Sequence, residues 1–422
     1  MMYEDLTWLF LGLLIFGFIT EKILEFLNAS YYSKAIPDIL KDFFSEDNQM
    51  KNLNYKKEKF NYSLINSGFS FLLTLVFWFF GGFGWLGAEV NLVFESEILR
   101  SLLFFGGIGL FSSLLSLPFT WYYHFVLEDK YGFNKMTQKT FWLDQIKGSL
   151  LAIVLGGGII ALVVWVYESV PQDFWWIVWS ILSVFMIFMT AFYARLIVPL
   201  FNKQTELEEG ELKESIEKMA IQLGFQLDHV YVMDGSKRSS KANAYFTGLG
   251  KQKRIVLYDT LINDLEVNEI IAVLAHEIGH YKRKHTLSNI ILGLAQTGLM
   301  LYVLSLFIAP DSAVSLLLNQ VVAQDLQLSS SHFYLGLIGF SILYSPISML
   351  LGILMNILSR KFEYQADDFA REHDLGQDLQ MSLIKLSKNS LSNLQPHPAY
   401  VFVNYSHPPL IDRYQALEKN LL

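Results

Sequence analysis

The 422-residue sequence contains no cysteine. This absence excludes disulfide bonds, thiolate metal ligands and a cysteine nucleophile. Any metal ion that the chain binds must therefore be held by His, Asp or Glu side chains.

Charged residues are also scarce, at 17% of the chain, whereas a soluble domain typically has about 25%. Their balance is acidic, with a formal net charge of −8, and a nucleic-acid-binding protein normally carries a basic surface. We therefore expect no nucleic-acid partner. Apolar residues make up 52% of the chain and the mean hydropathy is +0.33, which together indicate an integral membrane protein in contact with lipid.

Seven apolar runs are long enough to cross a bilayer as helices, which requires about 20 mostly apolar residues each. The expected fold class is mainly α: a multi-pass membrane protein with seven transmembrane helices. The first run is the least regular, because Glu21, Lys22 and Glu25 occupy its end. The runs are Leu6 to Leu27, Tyr62 to Leu86, Ile98 to Pro118, Gly148 to Tyr167, Phe174 to Phe201, Thr286 to Ala309 and His332 to Leu358.

The distribution of Lys and Arg predicts the orientation of these spans, since both residues accumulate in cytoplasmic loops. The connecting segments 1–5, 87–97, 168–173 and 310–331 contain neither residue. All 32 basic residues except Arg100 fall on the other side when those at span ends are included. The N-terminus is therefore expected outside and the C-terminus in the cytoplasm.

Two polar regions are large enough to fold on the cytoplasmic side, and they divide the chain into four parts. Residues 1–201 hold five spans, 202–285 form a cytoplasmic region of helices with a small β-sheet, 286–358 hold spans six and seven, and 359–422 form a cytoplasmic tail. Strands are expected at His229 to Met233, Ala244 to Thr247 and Arg254 to Tyr258, with a turn at Gly248-Leu249-Gly250.

The clearest candidate for a catalytic motif in the sequence is His276-Glu277-Ile278-Gly279-His280. Histidines at positions i and i+4 lie one above the other on a helix face, so both imidazoles can reach one ion. Glu277 lies beside them and can take a proton from water at a zinc ion with an open coordination position. The alternative is a helix whose two histidines only pack or face solvent. The apolar residues around the motif argue against it, because buried imidazoles and carboxylates need partners.

Catalytic zinc also needs a third protein ligand. The metzincin pattern is excluded, because it would require His and Gly where the chain has Thr286 and Arg283. His285 is offset by one residue and is expected to be solvated beside the cations that precede it.

Glu363, directly after the seventh apolar run, fits the role of third ligand. Asp367 lies four residues later on the same face and could orient a ligating histidine. The alternative is that this segment is an ordinary cytoplasmic cap whose acids, such as Asp368 and Glu372, are surface residues.

Five segments together resemble the type I CAAX prenyl protease family, which are seven-span gluzincin endopeptidases, and the resemblance covers nearly the whole chain. The segments are Leu117-Pro118-Phe119 with Glu128-Asp129-Lys130-Tyr131-Gly132-Phe133-Asn134, Ser239-Ser240-Lys241-Ala242-Asn243-Ala244-Tyr245-Phe246, His276-Glu277-Ile278-Gly279-His280, Phe362-Glu363-Tyr364-Gln365-Ala366-Asp367, and His407-Pro408-Pro409-Leu410 with Arg413.

The resemblance implies one zinc ion held by His276, His280 and Glu363, with Glu277 as general base. It implies that Asn243 helps to hold the substrate backbone beside the strand that contains Ala244, Tyr245 and Phe246, by addition of the peptide to a sheet edge. It also implies that His407 and Arg413 stabilise the oxyanion or anchor the substrate. Without the family resemblance, Asn243 would be interpreted as a turn residue and His407 as a loop residue.

The sequence leaves three candidate functions. The first is a CAAX-type endopeptidase that cuts near the C-terminus of a prenylated or hydrophobic peptide, with membrane lipid as its surroundings. The second is a membrane quality-control metalloprotease, which the seven spans disfavour. The third is a transporter with a chance HExxH motif, which the lack of ionisable residues in mid-span disfavours. An intramembrane protease is disfavoured because Glu269 precedes the motif and Lys282 to Lys284 follow it.

Overall fold

The computed structural model describes residues 2–227, 229–247, 254–310, 312–325 and 327–418. The turn expected at residues 248–250 lies outside these ranges. The N-terminal half is helical. It consists of α1 (Met2–Ala29), α2 (Glu46–Phe79), α3 (Gly82–Val93), α4 (Glu97–Tyr122), α5 (Gln138–Leu151), α6 (Gly157–Ser169), α7 (Phe174–Leu196) and α8 (Val198–Phe201), with π-helical turns at Tyr123–Glu128 and Ala152–Gly156 and a 3-10 turn at Asp38–Phe43.

The second half mixes strands and helices before it returns to long helices. It contains β1 (Gln204–Glu206), α9 (Glu211–Gln222), β2 (His229–Met233), β3 (Ala244–Thr247), β4 (Arg254–Tyr258), α10 (Asp259–Asp264), α11 (Val267–Lys282), α12 (His285–Phe307), α13 (Ala313–Ala323), α14 (Phe333–Glu372), α15 (Gly376–Asn389), α16 (Pro398–Asn404) and α17 (Leu410–Glu418).

Within the described ranges, six helical segments are long and apolar enough to cross a membrane, so the predicted count of seven is one too high by this measure. Helix α1 is not among the six segments that meet this measure, and its last turns contain charged residues. Lys22 there is buried, and its Nζ lies 2.7 Å from Glu25 Oε2 and 2.9 Å from Ser67 Oγ. The six segments are Glu46–Phe79, Glu97–Glu128, Gln138–Ser169, Phe174–Phe201, His285–Phe307 and Phe333–Glu372.

Helix α1 nevertheless runs beside the other long helices from one end of the bundle to the other. Near its start, Tyr3 Oη donates a hydrogen bond to Gln324 Oε1 at 3.5 Å. Near its end, Asn28 Oδ1 accepts a hydrogen bond from the backbone N–H of His397 at 3.1 Å. The predicted fold class, a mainly α multi-pass membrane protein with a small sheet, is confirmed.

The end of the bundle that includes Gln324 is closed by two shorter helices, α3 and α13. The side chains of Phe10, Trp78 and Tyr334 are buried there against Leu318 and Val322 of α13. Trp78 Nε1 donates a hydrogen bond to the backbone oxygen of Val321 at 3.1 Å. Burial of these aromatic rings fixes the helices at the end away from the sheet.

The four strands form one sheet at the opposite end, in the order β1-β2-β4-β3. Strands β2 and β4 run parallel, and β3 pairs antiparallel with β4. The three predicted strands are therefore present, and β1 is an addition. Helix α11 covers one face of the sheet, where Ile270 and Leu274 pack with Ile255 and Leu257. Strand β3 is left at an edge of the sheet.

Two ion pairs fasten the segment before β3 to the membrane helices. Lys241 Nζ lies 2.6 Å from Glu128 Oε2, and Glu128 Oε1 accepts a hydrogen bond from Tyr55 Oη at 2.5 Å. Arg238 donates two hydrogen bonds of 2.7 Å to the carboxylate of Asp144. These contacts place the sheet edge at a fixed position relative to α2, α4 and α5.

Candidate metal centre

Helix α11 carries the HExxH motif, and both ends of the helix have a clear structural cause. It begins with a capping box, in which Glu266 and Glu269 exchange hydrogen bonds with each other's backbone N–H groups. The buried carboxylate of Glu269 also pairs with Lys385 at 2.7 Å. The helix ends before Lys284, whose φ of 61° lies in the left-handed region. The motif therefore occupies the last turns of a helix that is anchored at its start.

Gly279, inside the motif, allows α11 and α14 to approach closely. A Cβ atom at this position would lie 3.0 Å from Phe369 Cβ and 3.2 Å from the backbone Cα and oxygen of Ala366. No larger residue fits here unless the backbone of α14 moves. The close crossing brings the end of α14 beside the two histidines.

The structure brings His276, His280 and Glu363 together. The two Nε2 atoms lie 3.2 Å apart, Glu363 Oε2 lies 3.5 Å from His276 Nε2, and Glu363 Oε1 lies 3.3 Å from His280 Nε2. A tetrahedral ion with bonds of about 2.0–2.1 Å separates its ligand atoms by about 3.3–3.4 Å. The three side chains therefore fit a single small divalent cation, and one coordination position stays open.

The outer nitrogen of His276 faces a buried ion pair. Its Nδ1 lies 2.9 Å from Asp367 Oδ1, and Asp367 in turn accepts two hydrogen bonds from Arg413, at 2.6 and 2.8 Å. Burial by itself lowers the pKa of His276, but the hydrogen bonds with Asp367 and Glu363 raise it to about 9. The nearby carboxylates of Glu363 and Asp367 therefore place negative charge around this ring, which favours a cation in the cluster.

His285 occupies a different position from the one predicted. It is 3% exposed rather than solvated, and its Nδ1 lies 3.0 Å from His280 Nδ1. The prediction was wrong because the chain turns back at Lys284, so the ring folds onto the site instead of following the surface cations. Nothing in the local composition signals that turn.

Glu277 and His407 lie at the more open side of the site. Glu277 is half-buried and does not belong to the group of side chains within ligand distance of one another. The side chain of His407 is 65% exposed, and its Nε2 lies 3.3 Å from Glu363 Oε1. By contrast, Arg413 is buried and directs Nε and Nη2 to Asp367, while its Nη1 lies 3.5 Å from Glu363 Oε2.

The predicted substrate strand alternates between two faces. Ala244 and Phe246 pack against the core beneath the sheet, whereas Tyr245 lies on the other face near Tyr258, with ring centroids 6.3 Å apart. Asn243 is exposed, and its Oδ1 accepts a hydrogen bond from the backbone N–H of Ala244 at 2.9 Å. A groove of about 830 Å³ is lined by Asn243 and Tyr245 from the sheet and by residues of α7.

Comparison with known proteins places this geometry in a family. The model described as "CAAX prenyl protease N-terminal, five membrane helices" matches residues 27–203, and the model for peptidase family M48 matches residues 206–421. The second match contains the whole histidine–glutamate cluster, and the first covers most of the helices that precede it.

Curated relatives match along most of their length. CAAX prenyl protease 1 of Saccharomyces cerevisiae is 36% identical over 91% of this chain and 88% of its own. The homolog in Dictyostelium discoideum is 37% identical over 92% of this chain and 90% of its own.

A solved structure agrees with these matches. The crystal structure of S. mikatae Ste24p superposes with a TM-score of 0.89 at 35% identity and covers 98% of both chains. Because family models, curated relatives and the fold all agree over nearly the full length, the chain belongs to peptidase family M48, as an integral-membrane metalloendopeptidase of the CAAX prenyl protease 1 type.

Proposed function

We propose that the protein is a zinc endopeptidase that cleaves hydrophobic or prenylated CAAX-type C-terminal peptides at the cytoplasmic face of its membrane. The observation that carries the proposal is the spacing of 3.2 to 3.5 Å among the donor atoms of His276, His280 and Glu363. That spacing suits one tetrahedral ion.

The donor set favours zinc among the common metals. Two imidazoles and one carboxylate form a set typical of zinc peptidases, whereas calcium and magnesium prefer oxygen donors throughout. When bound, zinc polarises the scissile carbonyl and lowers the pKa of water to about 7.

The side chains around the ion would each have a separate role in peptide hydrolysis. Glu277 takes a proton from the attacking water and later delivers it to the leaving amine. His407 is exposed beside Glu363, so it is well placed to donate a hydrogen bond to the oxyanion that develops on the substrate. Asp367 and Arg413 hold His276 in the orientation that presents its Nε2 to the ion.

The substrate backbone would bind along β3. This strand lies at an edge of the sheet, and a peptide can extend such an edge through backbone hydrogen bonds. Asn243 stands at the start of the strand and would contact the peptide backbone there. Tyr245 would contact one substrate side chain in the adjacent groove. Ala244 and Phe246 would hold the strand in place through their packing against the core.

Two features support the membrane orientation and the substrate class. The loops on the sheet side of the bundle carry nearly all Lys and Arg residues, as cytoplasmic loops do. The relatives carry the name CAAX prenyl protease, and a farnesylated C-terminal Cys-a-a-X peptide is itself a lipid-anchored substrate. Membrane lipid would then present the peptide beside the site.

The test is cleavage of two matched peptides by the purified full-length protein in detergent or liposomes. One CAAX peptide is farnesylated and the other has the same sequence without the lipid; 1,10-phenanthroline provides the chelator control. We expect chelator-sensitive cleavage near the C-terminus, faster for the farnesylated peptide. Equal rates would argue for a broader membrane-protein quality-control protease. Chelator-insensitive cleavage, or none, would refute the proposal.

A further inference from the structure

His285, the first residue of α12, is held on three sides. Its Nδ1 lies 3.0 Å from His280 Nδ1, and its Nε2 lies 2.9 Å from Gln365 Oε1. Its ring stacks on Phe362, with centroids 4.3 Å apart and planes at 12°. The side chain is thus fixed in position, ring plane and hydrogen bonding, although it is separated from α11 by a helix break.

The backbone at that break is unusual. Lys284 has a φ of 61° and a ψ of 26°, a left-handed conformation that lysine rarely adopts. Such a conformation persists only where the surrounding structure requires it. Here it ends α11 and begins α12 so tightly that a residue five positions after His280 returns to contact its ring.

The hydrogen bonds form a chain with one consistent direction. The Nε2 atom of His280 faces His276 and Glu363, so it is the nitrogen that would bind the ion. Neutral imidazole then carries its proton on Nδ1, which donates to His285 Nδ1. His285 must in turn carry its proton on Nε2, which donates to the amide oxygen of Gln365.

We propose that His285 is a positioning residue that fixes the tautomer and ring plane of the metal ligand His280, with Gln365 as the outer acceptor of the chain. The inference rests on the metal site of the proposed function, because it assigns a partner to one of that site's ligands. Residues that hold ligating histidines in this way typically change metal affinity about 10–100-fold when they are removed.

The two histidine ligands are therefore held by different chemistry. His276 contacts the carboxylate of Asp367, whose charge Arg413 balances, whereas His280 contacts a neutral imidazole. A neutral partner orients His280 without adding negative charge to the site. One stretch of α14, residues 362–367, supplies the third ligand, the partner of His276, the stacking ring and the outer acceptor.

Two substitutions separate hydrogen bonding from packing. His285→Phe keeps a ring on Phe362 but removes the acceptor, and His285→Asn places an amide oxygen near the position of Nδ1 without the full ring. His373→Phe serves as a matched control, because His373 contacts Phe369 at the end of α14 outside the site. Each variant is purified at full length, and its zinc dissociation constant is measured by chelator competition.

Spectra of the cobalt-substituted proteins provide a second measurement independent of peptide cleavage. We expect His285→Phe to weaken zinc binding about 10–100-fold and to shift the cobalt d–d bands. His285→Asn should stay within about threefold of the wild type and keep the wild-type spectrum, as should His373→Phe.

The proposal is overturned if His285→Phe binds zinc like the wild type, or if Phe and Asn weaken it equally. If His285→Phe does not fold, Gln365→Met removes only the outer acceptor and should weaken zinc binding in the same direction; unchanged affinity there also overturns the proposal. Glu363→Ala tests the proposed metal site separately from the role of His285. This variant should lose zinc even though His285 is unchanged, so full zinc binding in it would mean that the metal site itself is wrongly assigned.

Discussion

Glu277 and Glu363 lie beside the same two histidines, but the structure gives them different environments. Glu363 is buried, with both carboxylate oxygens within 3.5 Å of histidine Nε2 atoms, whereas Glu277 is half-buried outside that ligand group. A carboxylate that is not a ligand can exchange protons with water and substrate. The positions of these two residues therefore support the proposed roles, with Glu277 as general base and Glu363 as metal ligand.

We expect Glu277→Gln to lower kcat by about 10²–10⁴-fold, because the amide cannot accept a proton from water. Zinc content should stay at one ion per chain, because the proposed ligands His276, His280 and Glu363 are unchanged. Peptide hydrolysis and atomic absorption on the same preparation check both expectations. Hydrolysis at the wild-type rate would eliminate Glu277 as the base.

The sequence was sufficient to place His276 and His280 on one helix face, because the i, i+4 spacing and the apolar stripe of α11 determine it. It was not sufficient for His285 or Gln365. Their contacts depend on a left-handed turn at Lys284 and on the register of α14 against α11, and neither is encoded in local periodicity.

The crossing of α11 and α14 is the element-level feature on which the site depends. Glu363 lies more than 80 positions after the two histidines in the sequence, and only close helix packing brings the three residues together. Gly279 permits that approach, with Ala366 and Phe369 opposite. A glycine in a helix is usually unfavourable, so its presence inside the motif has a packing cause that became evident only with α14 in place.

Gly279→Ala should therefore destabilise the protein by about 1–3 kcal/mol and lower zinc occupancy, because the added methyl group pushes α14 and Glu363 away. Gly68→Ala in α2 is the matched control, since no neighbouring atom lies within 4 Å of the added Cβ. Thermal unfolding and metal content are compared. Equal midpoints for the two variants would contradict the close-packing explanation.

The segment before β3 is a second element whose position matters. Its Lys241 is tied to the buried carboxylate of Glu128 and packs over the ring of Phe133 at 4.4 Å. This ion pair connects the sheet edge to the π-helical turn Tyr123–Glu128 that follows α4, which sequence patterning alone does not reveal.

Lys241→Met should cost about 1–3 kcal/mol of folding stability, because it leaves Glu128 without its cationic partner. If the pair also positions β3, KM for the peptide should rise more than kcat falls. Lys237→Met is the control, because Lys237 is an exposed residue of the turn Gly235–Lys237, and it should change neither quantity. A variant at Lys241 with wild-type stability and KM would exclude the anchoring role.

The whole molecule has two unlike ends. The end closed by α3 and α13 is apolar and aromatic, whereas the other carries the sheet, the metal centre and nearly all basic residues. Hydropathy predicted the long helices well, because their apolar composition is continuous. By length and composition, α1 is not among the six helices that qualify as spans; its Lys22 is buried and contacts Ser67 of α2.

The absence of cysteine makes the orientation directly testable. Cysteine introduced at Lys139, in the first turn of α5 on the sheet side, should react with an impermeant maleimide only from the cytoplasmic face of sealed membrane vesicles. Cysteine at Gln172, at the other end, should react only from the opposite face. Both native residues are exposed, so accessibility does not depend on burial. The reverse labelling pattern would invert the proposed topology.

The zinc site that we propose joins two helices, α11 and α14, from distant parts of the chain. The most direct test is the zinc content of purified Glu363→Ala beside Glu372→Ala, which removes an exposed acid of the same helix that pairs with Arg283. We predict about one ion per chain in the wild type and in Glu372→Ala, and nearly none in Glu363→Ala. Full zinc occupancy in Glu363→Ala would show that Glu363 does not hold the ion.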